Sequence, residues 1–161
     1  MQRRHFLLSL LALATTPLLA RQALAEASST STIQKLCKSN DEWRQLLTPE
    51  QYKILRKEGT ERPKSSPLNH EKRKGTYACA ACELPLFTSD MKYDSGTGWP
   101  SFFSVIPNHI ETREDSSLFY SRTEYHCARC GGHQGHVFDD GPKPTGRRYC
   151  NNGLALKFIP G

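Results

Sequence analysis

Four of the six cysteines form two C-x-x-C pairs, Cys79–Cys82 and Cys127–Cys130, which are separated by residues 83–126. Each pair can place two sulfurs on one tight turn, and two such turns supply the four soft ligands of a tetrahedral zinc ion. Two disulfides or an iron–sulfur cluster are alternative uses of the same residues. The spacing predicts one structural Zn²⁺ per chain, with Cys79, Cys82, Cys127 and Cys130 as its ligands.

The remaining two cysteines lie outside these pairs. Cys150 follows Arg147 and Arg148, and neighbouring cations favour the thiolate form that a nucleophilic cysteine requires. A buried structural cysteine fits the same local sequence equally well. Cys37 lies in residues 26–39, which are rich in Ser and Thr and are predicted to form a flexible lead-in. It is either an incidental exposed thiol or a mobile thiol that can reach another sulfur.

The first 25 residues have the pattern of an export signal. Arg3 and Arg4 precede an apolar stretch from Phe6 to Ala20, and a small-residue cleavage site ends at Ala25. The paired arginines resemble a twin-arginine signal, which an export receptor reads. An uncleaved membrane anchor is the alternative. We expect the chain to be exported to the periplasm, cleaved after Ala25, and not inserted in the membrane after cleavage.

The export segment accounts for half of the net positive charge. The whole chain carries a formal net charge of +6. Residues 1–25 contain three arginines and no acidic residue, so removing them leaves +3. Apart from the cluster Lys72–Lys74, the remaining basic residues are interspersed with acidic ones. The composition therefore does not indicate a nucleic-acid partner.

The sequence predicts a mostly β domain over residues 40–161, with short helices at its start. Thr48 followed by Pro49 is a helix N-terminus, and Gly59 is expected to end that helix. Beyond this region, short runs of β-branched and aromatic residues alternate with Gly, Pro, Asn and Asp, which is typical of antiparallel sheets. The clearest strand pattern is Leu154–Phe158.

Three long motifs resemble the methionine-R-sulfoxide reductases of the B type. Gly96–Phe102 (GTGWPSF) resembles the family segment G-C-G-W-P-S-F, and His126–Phe138 (HCARCGGHQGHVF) resembles H-C-x-R-C-G-x-H-L-G-H-V-F. Arg148–Asn152 (RYCNN) resembles the catalytic strand R-Y-C-x-N. The resemblance covers about residues 40–159. It implies a β-tent fold of two antiparallel sheets with a structural zinc held by the four paired cysteines.

The resemblance also implies the reaction. Members of the family reduce the R epimer of methionine sulfoxide, free or in oxidised proteins, and the matching nucleophile here is Cys150. The thiolate attacks the sulfur while the sulfoxide oxygen is protonated. His133 and His136 are imidazoles suited to supplying that proton, although His133 also fits a purely structural role in a turn.

Four further residues are expected to complete the site. Arg148 and Asn152 share a strand face with Cys150 because side chains alternate with period two. Arg148 can stabilise the thiolate, and Asn152 can bind the substrate or an ordered water. Trp99 and Phe138 offer apolar walls for the methyl group of the substrate, or are plain core aromatics.

Thr97 departs from the family pattern. Many members have a cysteine at this position, which attacks the sulfenic acid on the catalytic cysteine, and threonine cannot do so. Cys37 is the candidate resolving residue, and direct reduction by an external thiol is the alternative. The resemblance implies a thioredoxin-like reductant, and we expect a monomer.

Two other functions use the same residues. A non-catalytic zinc-binding interaction module would need the four paired cysteines but not the site around Cys150. A thiol–disulfide oxidoreductase would use the C-x-x-C pairs themselves.

Overall fold

The computed structural model describes residues 33–116 and 120–161. The predicted export signal, residues 1–25, and the start of the predicted lead-in, residues 26–32, lie outside the described part of the chain. Within the described residues, no helix is long and apolar enough to cross a membrane.

Two short helices begin the fold, α1 at Asn40–Leu46 and α2 at Pro49–Lys57. Both start with a capping box, in which the N-cap side chain and the N3 side chain each bind the other's backbone N–H. For α2 these residues are Thr48 and Gln51, which confirms the predicted start of the helix. Glu58, in the left-handed conformation, ends it one residue before Gly59.

Across residues 33–116 and 120–161, nine strands form two antiparallel sheets, which confirms the expected fold class. The smaller sheet has the order β2-β1-β9, and the larger has the order β3-β4-β8-β7-β6-β5. The strands are β1 Gly75–Cys79, β2 Pro85–Thr88, β3 Lys92–Tyr93, β4 Ser101–Phe102, β5 Ile110–Asp115, β6 Arg122–Cys127, β7 His133–Phe138, β8 Arg148–Asn151 and β9 Leu156–Pro160. Short 3₁₀ turns lie at Pro67–Asn69, Ser89–Met91 and Gly153–Ala155.

The core between the two sheets is aromatic. Phe87 of the smaller sheet stacks on Phe102 of the larger one with ring centroids 3.9 Å apart. Tyr77, Tyr125 and Tyr149 pack around this pair, and all five rings are buried. Each ring contributes roughly 1.5–3 kcal/mol by leaving water. This packing fixes the position of β8, because Tyr149 is the residue before Cys150.

The strand β8 lies between β4 and β7 in the larger sheet. Cys150 is therefore paired on both sides, with Ser101 of β4 and with His136 of β7. Because directly opposed residues in a sheet point to the same face, Cys150 and His136 share one face. The sheet register thus brings the predicted nucleophile and one of the predicted proton donors together.

Candidate active site and metal centre

The two C-x-x-C pairs converge on one point. The four sulfurs all lie within 4.8 Å of one another, with Cys79 and Cys130 at 3.7 Å and Cys82 and Cys127 at 3.5 Å. A tetrahedron of Zn–S bonds has S···S edges of about 3.8 Å, whereas a disulfide is about 2.05 Å long. The four thiols therefore fit a tetrahedral metal ion. All six cysteines lie in the described part of the chain, and each is a free thiol.

Each pair lies on a tight turn closed by backbone hydrogen bonds. The N–H of Glu83 donates to the carbonyl of Cys79, and the N–H of Gly131 donates to that of Cys127, both at 2.8 Å. Glu83 and Gly131 have φ of 58° and 65°, a conformation that glycine adopts without strain. Hydrogen bonds among the four sulfurs lower the pKa of the Cys82 and Cys127 thiols and raise the pKa of the Cys79 and Cys130 thiols.

Cys150 lies at a largely apolar cleft that is open to solvent. Trp99 and Phe138 are half-buried at its sides, and the indole N–H of Trp99 donates to the carbonyl of Glu61 at 3.2 Å. The full lining consists of Thr60, Trp99, Arg122, Gly135, His136, Phe138, Cys150, Asn151 and Asn152. The structure thus brings Trp99, Phe138, His136 and Asn152 to the predicted nucleophile.

The surroundings of Cys150 act on its ionisation in opposite directions. Burial raises the pKa of the thiol, while the charge of Arg148 and a hydrogen bond from the Thr97 hydroxyl lower it. Arg148 is held in place by two parallel bonds to the Asp140 carboxylate, both 2.8 Å long, and its guanidinium lies 4.2 Å above the ring of Phe138. Arg148 is therefore a fixed cation beside the sulfur.

The two predicted proton donors have different surroundings. His136 lines the cleft, and its Nε2 donates to Asp115 at 2.8 Å. His133 is only 3% exposed, and its Nδ1 bonds Glu124 at 2.6 Å. Its ring contacts that of His136, with centroids 5.6 Å apart. Of the two histidines, His136 is the one in the cleft lining, and His133 packs behind it.

Glu61 connects the segment that follows α2 to the turn that follows β8. Its carboxylate accepts from the N–H groups of Gly153 and Leu154 at 2.7 and 2.9 Å, and its own N–H donates to the side-chain oxygen of Asn152. The Asn152 amide donates in turn to the carbonyl of Gln134 at 3.1 Å. Both polar atoms of the Asn152 side chain therefore bind backbone groups, and the residue orders the cleft wall.

Cys37 lies on the surface and is not among the residues that line the cleft. The N–H of Leu36 donates to the carbonyl of Arg129 at 2.7 Å, and Lys35 forms an ion pair with Glu111. The segment before α1 therefore lies beside the turn that carries Cys127 and Cys130.

Sequence reasoning missed several groups of the site. Asp140 fixes Arg148, and Glu61 accepts a hydrogen bond from Trp99. Asp115 bonds both His136 and Arg122. Glu61 lies two residues after Gly59, where the sequence indicated only the end of a helix. Asp115 and Arg122 lie in a polar run with no spacing motif.

The comparisons with known proteins agree with this geometry. The SelR domain family matches residues 47–160. Peptide methionine sulfoxide reductase MsrB of Methanosarcina barkeri (strain Fusaro / DSM 804) is 57% identical over 122 residues, which cover 75% of this chain and 86% of that protein. Its Agrobacterium fabrum (strain C58 / ATCC 33970) counterpart is 54% identical over 130 residues, covering 80% and 96%. Among solved structures, a Mis18 "Yippee-like" domain gives a TM-score of 0.42 at 16% identity, covering 54% of this chain and 96% of that one.

Proposed function

The chain belongs to the SelR domain family and reduces methionine R-sulfoxide, and we propose that Cys150 is the nucleophile of this reaction, acting in the cleft described above. The observation that carries the proposal is the position of this thiol. It lies between two aromatic walls, beside the fixed cation Arg148 and opposite His136 in the sheet. The cleft is open, so a methionine sulfoxide side chain can enter it whether free or on a protein.

The chemistry follows from these neighbours. The Cys150 thiolate attacks the sulfoxide sulfur, and the S–O bond breaks as the oxygen takes up protons and leaves as water. Water then attacks the oxidised Cys150 sulfur and releases the thioether. The net reaction converts sulfoxide and thiol into thioether and sulfenic acid, so the substrate sulfur gains the two electrons that Cys150 loses. His136 supplies a proton to the departing oxygen, and Trp99 packs against the methyl group.

The four-thiol cluster is proposed to hold a structural Zn²⁺. Its ligand type and its S···S distances support this assignment, and three of the four cysteines are buried. A zinc ion there joins the turn after β1 to the turn before β7 and has no part in the reaction itself. The Cys82→Ser variant should lose the metal and melt at a temperature about 10 °C lower or more. Cys37→Ser, which removes an exposed thiol, is the matched control and should keep one zinc per chain.

The sulfenic acid is proposed to be resolved by Cys37 or by an external thiol, with a thioredoxin-like reductant completing the cycle. Thr97 has no thiol, and Cys37 is the one cysteine outside both the metal cluster and the cleft. Disulfide formation needs Cα atoms within about 7 Å of each other. The segment held by the Leu36–Arg129 bond must therefore leave its place before Cys37 can reach Cys150.

We also propose that the chain carries a cleavable export signal and is a monomer. The arginine pair at Arg3 and Arg4, the apolar stretch and the small residues before Ala25 support periplasmic export. Amino-terminal sequencing of the exported protein tests this directly, because a chain that still begins at Met1 is incompatible with cleavage after Ala25. Light scattering of the purified protein tests the monomer.

One assay tests nucleophile, epimer and resolution together. The R and S epimers of a methionine sulfoxide peptide are reduced with dithiothreitol, and the thiols are mapped by mass spectrometry after one turnover. Reduction of the R epimer alone, abolished in Cys150→Ser, supports the proposal. Activity that survives in Cys150→Ser overturns it. A Cys37–Cys150 disulfide identifies Cys37 as the resolving residue, whereas unchanged thioredoxin-coupled turnover in Cys37→Ser assigns resolution to an external thiol.

A further inference from the structure

A partly buried charge network holds His136 from the side of β5 and β6, opposite to Cys150 on β8. The same oxygen of Asp115 accepts from Nε2 of His136 at 2.8 Å and from Nη2 of Arg122 at 2.7 Å. The three side chains are only 13–22% exposed. They come from three consecutive strands of the larger sheet, since Asp115 ends β5, Arg122 begins β6 and His136 lies in β7.

We propose that Asp115 and Arg122 are positioning residues that fix the orientation and the tautomer of His136, an inference that rests on the proposed function. A carboxylate only accepts hydrogen bonds, so the nitrogen that contacts Asp115 carries a hydrogen whether the ring is neutral or charged. The nitrogen left for the cleft is Nδ1. It is therefore the atom that gains a proton when His136 becomes charged and that donates it to the sulfoxide oxygen.

This arrangement removes a step from the proton transfer. Once Nδ1 has given up its proton, His136 is neutral with its hydrogen on Nε2, which is the tautomer that the Asp115 contact selects. The ring can be recharged at Nδ1 without rotating or exchanging protons between its nitrogens. Arg122 pairs with Asp115 and lines the cleft itself, so it keeps the carboxylate in place.

The pKa of His136 depends on the charged groups around it, so the effect of the Asp115 carboxylate on this pKa can be measured. Burial lowers the pKa of His136, the hydrogen bond to Asp115 raises it, and the charges of Arg122 and His133 lower it. Its cross-strand neighbours are Glu124 and Cys150. Loss of the negative charge at Asp115 therefore lowers the pKa of His136, and the protonated donor is lost at lower pH.

The test is Asp115→Asn, which keeps a side-chain oxygen for Nε2 but removes the charge. Imidazole ¹⁵N spectra should show the Nε2–H tautomer in the parent protein and a mixture in the variant. The alkaline limb of kcat should move to lower pH by about one unit, with KM little changed. The more conservative Arg122→Lys should shift the limb in the same direction by less.

The β5–β6 hairpin also offers a matched control. Glu111 contacts Nε2 of His126 at 3.4 Å, and neither residue lines the cleft. Glu111→Gln therefore removes a second carboxylate–imidazole pair from the same hairpin and should leave both the His136 spectrum and the kcat profile unchanged.

The outcomes separate this inference from the proposed function. If the Asp115→Asn protein folds and keeps both the imidazole spectrum and the alkaline limb of kcat of the parent protein, the positioning role is overturned. If His136→Gln leaves the alkaline limb intact, the proton-donor role of His136 fails, and the inference fails with it. If Asp115→Asn does not fold, Arg122→Lys decides, and an unshifted limb in that variant rejects the inference.

Discussion

The hydroxyl of Thr97 favours the thiolate form of Cys150 and lowers the pKa of that thiol. The residue at the position of the family's second cysteine thus still acts on the thiol that we propose as the nucleophile. Three hydroxyls are hydrogen-bonded in a row. The Thr97 oxygen lies 2.8 Å from that of Ser95, and the Ser95 oxygen lies 2.7 Å from that of Ser101. Each hydroxyl carries one hydrogen, so when Thr97 donates to the sulfur, Ser95 donates to Thr97 and Ser101 donates to Ser95. The hydroxyl network at the position of the family's second cysteine therefore acts on the ionisation of Cys150.

Removal of this hydroxyl should raise the pKa of Cys150. The Thr97 hydroxyl donates to the thiolate, so Thr97→Val loses a bond that favours the charged form. We expect the pKa to rise by about 0.5 to 1 unit and alkylation by iodoacetamide near neutral pH to slow by about 3- to 10-fold. Thr97→Ser should keep the parent profile, and Thr112→Val, at an exposed position of β5, is the control. Equal profiles for the Val and Ser variants would contradict this role.

Thr97→Cys should restore a local resolving thiol. Since the Thr97 side chain is near enough to the Cys150 thiol to lower its pKa, we expect a thiol at the same place to reach that sulfur and form a disulfide. After one turnover, Thr97→Cys in a Cys37→Ser background should lose two thiols and show a disulfide between positions 97 and 150 by mass mapping. Cys37→Ser alone serves as the reference. A persistent sulfenic acid in the double variant would show that the two sulfurs cannot meet.

Loss of the Arg148 charge should move the pH dependence of Cys150 alkylation. Arg148 favours the thiolate, so Arg148→Gln raises the pKa of Cys150. At a pH below that pKa, each unit of increase lowers the thiolate fraction about tenfold, and the rise of alkylation rate with pH moves to higher pH. The exposed neighbour Arg147 offers the control, because Arg147→Gln should leave the profile in place. Identical profiles for the two variants would exclude the electrostatic role of Arg148.

The fold was predictable where the signals are local. The capping box of α2 involves Thr48 and Gln51, which are three residues apart, so the sequence displays it. The end of the chain shows the limit of local reasoning. The pattern predicted a strand over Leu154–Phe158, but β9 begins at Leu156. The N–H groups of Gly153 and Leu154 bind the carboxylate of Glu61 instead of a neighbouring strand, and no local pattern encodes that distant contact.

The residues of the candidate site were also predictable only where the sequence signal is local. Cys150, Trp99 and Phe138 stand in long motifs, and the structure brings them to one cleft. Asp115 and Arg122 have no such signal, because β5 reads IETRED and lacks the alternation of apolar and polar residues that marks a strand. Their contact with His136 depends on the pairing of three strands, which the sequence does not specify residue by residue.

Gly135 sets the spacing between β7 and the catalytic strand. A Cβ added at Gly135 would lie 1.9 Å from the carbonyl oxygen of Cys150, so any side chain must push the two strands apart. Gly135→Ala should lower the free energy of unfolding by about 3 kcal/mol in urea and abolish turnover. Gly161→Ala is the control, since its Cβ would meet other atoms only at 3.7 Å or more, an ordinary van der Waals distance. A Gly135→Ala protein with parent activity would show that the strands separate at no cost.

Gln134 connects the metal cluster to the catalytic strand. Its amide lies fully buried, donates to the Cys79 sulfur at 3.4 Å and accepts from Asn151 at 3.5 Å. Gln134→Leu removes the bond to a metal-ligating thiolate and takes one partner from a buried amide, so we expect a loss of about 1–2 kcal/mol. Zinc should transfer faster to a chromogenic chelator in this variant than in Gln45→Leu, an exposed control on α1. Equal transfer rates would show that the amide does not support the cluster.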